Sequence, residues 1–363
     1  MEIGFCEILF IRIVHGGFMK NIRIGNLGIG YGESPLVIPE IGINHNGSLD
    51  VAKEMVFAAY KAGAQIIKHQ THVVDDEMCH EAQHVIPGNA DISIYEIMKK
   101  ASLNREEELE LKNYTESLGM IFMSTPFSRA AAERLEDFGV KVYKIGSGEM
   151  NNYPLLDYVA SFGKPMIVST GMNNMTSVDR AVNILECRRV DYALMHTTNL
   201  YPTLPKQVRL GAMQQLMRKY PDIPIGLSDH TTDNNACIAA IALGAKLIER
   251  HFTDTMDRVG PDISCSMDSE NLKLLIEAAK TVPLMLGGEK EEIAEEKVTS
   301  DFAFASVVTI KPVKAGEMFT KDNLWVKRPG IGELLADQYE FVLGKCASVD
   351  IDNDTILKKE MIR

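Results

Sequence analysis

Three short stretches of this chain end an apolar run with polar residues two positions apart: Lys68 and Gln70, Ser228 and His230, Glu249 and His251. On a β-strand, residues two apart point to the same face, so each pair reaches out together. Other runs finish with single polar groups. Glu40 ends the first, Thr125 follows the third, Lys144 sits in the fourth, Ser169 ends the fifth, and Asn199 and Tyr201 follow the sixth. His230 and His251 lie on neighbouring runs and could share one divalent ion, since imidazole suits Mn, Zn, Co or Fe. Two protein ligands leave positions open for substrate oxygens and water, as a catalytic metal requires. Taken singly, either histidine is equally a satisfied core residue. Lys68 and Lys144, with Arg328, offer a cationic site for phosphate and carboxylate. A lysine at a strand end could also form a Schiff base. The hydroxyls of Ser147, Ser169 and Ser228 favour the anion cradle.

These residues need elements to carry them. Apolar runs at 36–41, 65–70, 120–124, 141–145, 165–170, 191–196, 224–228 and 246–252 predict strands. Amphipathic stretches at 49–62, 105–118, 129–138, 153–162, 177–187, 207–220, 234–243 and 269–286 predict helices between and after them. Ser48, Asn104 with Glu107, and Ser128 are placed as helix caps, and Gly63, Gly119 and Gly139 follow the helix ends. Strand–helix alternation implies a parallel sheet. Eight units in such a length predict an α/β chain folded as a (β/α)8 TIM barrel, whose sites lie at the C-terminal ends of its strands. A dinucleotide fold would open with GxGxxG, and residues 42–47 read GINHNG instead. The stretch 71–103 is too long for a plain connection and is expected to build or cover the site.

The bulk composition narrows the partners. The chain has 363 residues, 45% of them hydrophobic and 24% charged, with a net charge of −12. That balance argues against nucleic acid and against an anionic membrane surface, though not against a small anion met by local lysines. The six cysteines, Cys6, Cys79, Cys187, Cys237, Cys265 and Cys346, are scattered and form no CxxC pair, as expected of reduced thiols in a cytoplasmic protein. Residues 1–18 carry Glu2 and Glu7 where a secretory signal has positive charge, and Arg12 breaks the apolar run. We expect a dispensable extension there, or a start placed too early. Four segments follow: the extension 1–18, a barrel domain 19–286, a charged linker 287–300 and a small domain 301–363. The last is small for independent stability and is expected to pack on something.

Longer stretches carry a family resemblance. PEIGINHNGSLDVAKEM, IIKHQTHVVDDEM, IPGNADISIYEIM, STPFSRAAAERLEDFGVKVYKIGSGE, STGMN, GLSDHTTDN, ERHFTDTMDRVGPDI and DFAFASVVTIKPVKAGE resemble bacterial N-acetylneuraminate synthases, from about Ile22 to the C-terminus. The resemblance implies a TIM barrel followed by a small β-rich antifreeze-like (β-clip, SAF) domain. It implies condensation of phosphoenolpyruvate with N-acetylmannosamine, releasing phosphate, by a domain-swapped homodimer. Carried over by motif, His230 and His251 would bind Mn2+, with Mg2+ or Co2+ as alternatives. Lys68, Thr125, Lys144, Ser147, Ser169, Asn199 and Ser228 would hold phosphoenolpyruvate. Glu40 would act in catalysis beside the two histidines. Gln70, Asn89, Tyr201, Glu249 and Asp262 would line the sugar side, joined by Arg328 from the partner chain. Met150 departs from the pattern, which has Cys there. Related activities on 2,4-diacetamido sugars, giving legionaminate or pseudaminate, are the nearest rivals. A carbohydrate- or ice-binding protein with a degenerate barrel is the rival from another class, and a Schiff-base aldolase is the rival chemistry.

Overall fold

The computed structural model describes residues 19–86 and 91–363; the extension 1–18, with Cys6, and the candidate Asn89 lie outside the described residues. The chain divides into two compact units between Gly287 and Gly288. The first opens with an antiparallel hairpin, β1 (Ile22–Ile24) and β2 (Leu27–Ile29), which the apolar runs did not predict. Eight strands follow: β3 (Leu36–Gly42), β4 (Ile66–Thr71), β5 (Ile121–Pro126), β6 (Tyr143–Ile145), β7 (Met166–Ser169), β8 (Tyr192–Thr197), β9 (Ile225–Asp229) and β10 (Leu247–His251). They are parallel and close into a barrel in which β10 pairs with β3. The expected (β/α)8 architecture is therefore the one the chain adopts.

Side-chain alternation sorts each strand into two faces. One set of alternate residues, Leu36, Ile38, Ile66, Ile121, Met123, Val142, Ile167, Ala193, Met195 and Leu247, packs with Ile22, Ile24, Leu27 and Ile29 of the hairpin. The hairpin thus fills the N-terminal end of the barrel with apolar side chains, each contributing about 1.5–3 kcal/mol on full burial. The other set, including Val37, Ile67, Phe122, Val168, Leu194, Leu227 and Ile248, packs beneath the helices. Continuing the inner face upward by twos leads from Ile38 to Glu40, from Ile66 to Lys68 and Gln70, from Met123 to Thr125, and from Leu247 to Glu249 and His251. The apolar interior becomes polar at the C-terminal ends of the strands.

The helix caps form as their sequences imply. Ser48 accepts from Val51 N (3.3 Å), Asn104 and Glu107 make a reciprocal capping box, and Ser128 accepts from Ala131 N (3.2 Å). Two long helices differ from expectation. The stretch 207–220 is broken into Pro205–Val208 and Leu210–Lys219, because Arg209 takes a left-handed conformation with φ 54°. The stretch 269–286 is α-helical only over Ser269–Thr281, and a 3-10 turn, Val282–Met285, begins where Pro283 cannot donate its backbone nitrogen. The long connection after β4 holds the short helices Val74–Glu77 and Ile94–Ala101.

The second unit pairs β11 (Ser306–Thr309) with β12 (Leu324–Lys327) and adds several isolated β-bridges around Val307, Val313, Phe319, Leu324, Ile351 and Leu357. It is small and β-rich, as expected. The helix Lys297–Ala303 runs across the expected boundary at 300. Among the described residues, the five cysteines are unpaired thiols and no helix is long and apolar enough to cross a membrane.

Candidate active site

The inner face of the barrel mouth encloses a cavity of about 170 Å³. Glu40, Lys68, Gln70, Thr125, Lys144, Ser147, Ser169, Asn199, Tyr201, Ser228, His230, Glu249 and His251 all line it. The three spaced pairs therefore point inward together. Strand register brings them side by side: Glu40 stands opposite Lys68 on one side and His251 on the other, Gln70 opposite Thr125, and Glu249 opposite Ser228.

The two lysines are not free cations. Lys68 Nζ is ion-paired with Glu40 and lies 3.5 Å from Glu249 Oε1. Lys144 Nζ lies 3.4 Å from the same Glu249 oxygen and donates to Ser169 Oγ (2.7 Å). Two ammonium groups and two carboxylates thus alternate, each nearly free of solvent contact. Burial alone would push the Glu40 carboxyl up, but Lys68, His251 and Lys144 outweigh it and hold it well below the usual carboxylate range. Burial would likewise depress Lys68, and Glu249 with Glu40 reverses this and raises it. For Lys144 burial prevails over Glu249, and its pKa is lowered. Glu249, grouped with the sugar side by resemblance, stands geometrically with the lysines. Ser228 Oγ donates to it at 3.2 Å.

On the other side of Glu40 stand the imidazoles. His230 and His251 have ring centroids 5.4 Å apart, and the Tyr201 ring lies 4.1 Å from the first and 5.8 Å from the second. The His230 Nδ1–H donates to Thr198 O (2.8 Å), which leaves Nε2 with its lone pair. Burial and then the neighbouring His251 push the His230 pKa down to about 3, so the ring stays neutral, the form that binds metals. His251 Nε2 is 3.8 Å from Glu40 Oε2, and its Nδ1 is 3.5 Å from Asp262 Oδ2 without a hydrogen-bond partner. A buried, unpartnered ring nitrogen beside an oriented neutral imidazole fits a divalent ion. No cluster of three or more His, Cys, Asp or Glu side chains poised for a metal occurs among the described residues, so the pair would supply only part of a coordination shell.

Further polar atoms await partners. Thr125 Oγ1, Thr197 Oγ1, Asn199 Oδ1, Glu249 Oε2 and His251 Nδ1 are buried without a hydrogen bond among the described residues. Five such atoms around one cavity can meet a polar ligand or water there. Gln70 is fixed in orientation: its Nε2 donates to Glu40 Oε1 (2.8 Å), and His72 approaches its Oε1 (3.3 Å). Arg328 belongs to the second unit, where it is exposed just past β12.

Several functional residues lie outside the strand-end pattern. Glu149, on the 3-10 turn Glu149–Asn151, lines the cavity, and burial raises its pKa. A Cβ at Gly146 would come within 2.4 Å of Glu149 Oε2, so the glycines of GSGE were the available signal. The outward residues between the paired ones fall outside that pattern as well. His69 lies 3.3 Å from the buried Glu108, which Thr71 Oγ1 and Arg134 (3.1 Å) also donate to. Asp229 and Arg250 face each other behind the two histidines.

Residues 55–291 match the NeuB family and residues 304–363 match the SAF domain. An uncharacterised protein of Methanocaldococcus jannaschii is 37% identical over 93% of this chain and 98% of its own length. The N,N'-diacetyllegionaminic acid synthase of Campylobacter jejuni is 33% identical, over 89% of this chain and 99% of its own. Among solved structures, the N-acetylneuraminic acid synthetase of Leptospira borgpetersenii, crystallised with citrate, superposes with a TM-score of 0.71 at 29% identity, covering 78% of this chain and 96% of that one.

Gly171 offers a test of the cavity as an anion site. A Cβ there would stand 1.9 Å from Asn199 Oδ1 and 2.7 Å from Ser147 Oγ, whereas Gly171 N now donates to that hydroxyl at 3.1 Å. Both obstacles are ends of side chains that can turn away, so Gly171→Ala should fold normally by circular dichroism. Its affinity for inorganic phosphate, titrated calorimetrically, should fall about tenfold, the loss of roughly one hydrogen bond to a charged group. Unchanged affinity would place the anion elsewhere.

Proposed function

Because the chain belongs to the NeuB family, we propose that it condenses phosphoenolpyruvate with the open-chain aldehyde of an N-acetylated amino sugar, releasing phosphate. The observation that carries this reading is the position of Glu40. Its Oε1 meets Lys68 and Gln70, while its Oε2 faces His251, so one carboxylate stands between a cationic half and an imidazole half. Lys68 and Lys144, with Ser169, Ser228 and Asn199, suit a phosphate and a carboxylate. Tyr201, Gln70 and Asp262 flank the opposite half, where a sugar would lie.

The chemistry follows from these groups. The enol carbon of phosphoenolpyruvate is a modest nucleophile, and the lysines would fix it against the aldehyde carbon. His230 and His251 would hold a divalent ion, most simply Mn2+, which supplies Lewis acidity toward the aldehyde. Carbon–carbon bond formation leaves positive charge on the carbon that bears the phosphate. Glu40, kept ionised, would stabilise that cation and take a proton from the water that adds to it. Breaking the bond between that carbon and the phosphate oxygen then releases inorganic phosphate and the keto acid.

For the sugar, the resemblance of the KHQTH and NNYPL stretches to N-acetylneuraminate synthases supports N-acetylmannosamine as substrate and N-acetylneuraminate as product. The full-length similarity to a diacetyllegionaminic acid synthase supports a 2,4-diacetamido hexose as the second reading. We also propose that two chains exchange their small domains, each lending Arg328 to the other's mouth.

Three measurements test these statements. Glu40→Gln should abolish turnover while leaving phosphoenolpyruvate binding within a few-fold of wild type; normal turnover would remove Glu40 from the mechanism. Phosphate release should require both substrates and stop with chelator, and competition between the two sugars names the substrate by its higher kcat/KM. Release that ignores chelator would overturn the metal assignment, and borohydride trapping would indicate a Schiff base instead. Mixing inactive Arg328→Ala chains with inactive Lys68→Ala chains should restore activity if sites form across the dimer. No recovery despite proven mixing would refute the exchange.

A further inference from the structure

We propose that Arg250 is a positioning residue whose one buried guanidinium sets the spacing of His230, His251 and Asp262. The inference rests on the reading above that the two imidazoles bind a divalent ion. Arg250, 1% exposed, is among the largest wholly buried side chains of the described residues and lies on the outer face of β10 between Glu249 and His251. In register it stands opposite Asp229, which ends β9 between Ser228 and His230, and its Nε is 3.5 Å from Asp229 Oδ2.

The two terminal nitrogens of the guanidinium reach three separate segments, while Nε makes no hydrogen bond among the described residues. Nη1 donates to Asn234 Oδ1 (2.7 Å), at the start of the helix Asn235–Ala242. Nη2 donates to Thr231 O (2.7 Å), the residue after His230, and lies 3.4 Å from Cys265 O. Cys265 ends the 3-10 turn that begins just past Asp262, and Ser266 Oγ donates to Asp262 O (2.7 Å). His251 is the neighbour of Arg250 itself. His230, His251 and Asp262 are therefore each within one to three residues of a point tied to the same side chain.

Replacing Arg250 and Asp229 together by well-packed hydrocarbon would often be neutral or stabilising, so stability alone does not call for a buried ion pair here. What hydrocarbon lacks is direction. The planar fork of arginine presents donors at fixed angles, and lysine, a single flexible ammonium group, cannot span the same acceptors. Groups that orient metal ligands from behind typically change metal affinity ten- to hundredfold when altered.

Arg250→Lys separates the two roles, since it keeps a positive charge near Asp229 and loses the fork. We would measure Mn2+ binding by electron paramagnetic resonance on the substrate-free protein, and the side-chain 1H–15N resonances of the histidines without metal. Mn2+ affinity should fall about ten- to hundredfold. The His230 and His251 resonances should shift while that of His196, buried on β8, stays in place. A folded Arg250→Lys with wild-type Mn2+ affinity and unmoved histidine resonances would overturn the proposal. If that variant does not fold, Asn234→Ala, which removes one acceptor from the fork, takes the same readouts, and unmoved resonances there overturn it equally. Should the wild type bind no Mn2+, the metal reading fails, and the histidine resonances alone decide whether Arg250 positions the two rings.

Discussion

Glu40 and Lys68 stand side by side on neighbouring strands, both nearly without solvent contact, and neither could hold its charge there alone. Burial by itself neutralises a lone carboxyl or ammonium group. The pair is kept charged by each other and by the next members of the series, Glu249 and Lys144. Removing one partner of a buried pair leaves an uncompensated charge, at about 3–5 kcal/mol. The mouth thus depends on register: a slip of one residue in β3 or β4 would turn these side chains outward and bring apolar ones in. The apolar plug formed by the hairpin and the lower barrel helps to fix that register from the opposite end.

The outer faces of the same strands carry a second set of buried polar groups. His69, Thr71 and Ser124 gather around Glu108, which reaches in from the helix Arg105–Ser117. Asp229 and Arg250 do the same behind β9 and β10. A parallel barrel strand is normally apolar on both faces. Here the polar character continues through the strand ends into the helix layer, so the inner side chains are held by backbone segments that are themselves tied down.

Much of this was legible beforehand. Alternating apolar and amphipathic runs gave the barrel, and Lys68 with Gln70, Ser228 with His230, and Glu249 with His251 gave its mouth from spacing alone. His69, Asp229 and Arg250 sit in plain view between those pairs, yet their partners Glu108 and Asn234 come from helices, which spacing along a strand cannot reveal. Glu108 hides in REEELELK, a stretch that reads as a solvated helix face until the fold turns it inward. The sharing of Glu249 by both lysines was equally out of reach, because it joins residues more than a hundred positions apart that only the closed barrel brings together. Arg209 broke a helix that its neighbours supported, through a left-handed backbone that an arginine does not announce.

The neutralised lysines have a consequence for how an anion arrives. A bare pair of ammonium groups would project an attractive field into solvent. Here Glu40 and Glu249 act as counter-ions that are covalently tethered and cannot diffuse away. The two lysines and these two carboxylates offset one another, within a chain of net charge −12. A multiply charged substrate must therefore enter by partner exchange, taking the lysines over at contact range while the carboxylates turn to other duties. Recognition of this kind discriminates by fit rather than by charge. Simple salts, which screen long-range fields, have little there to screen.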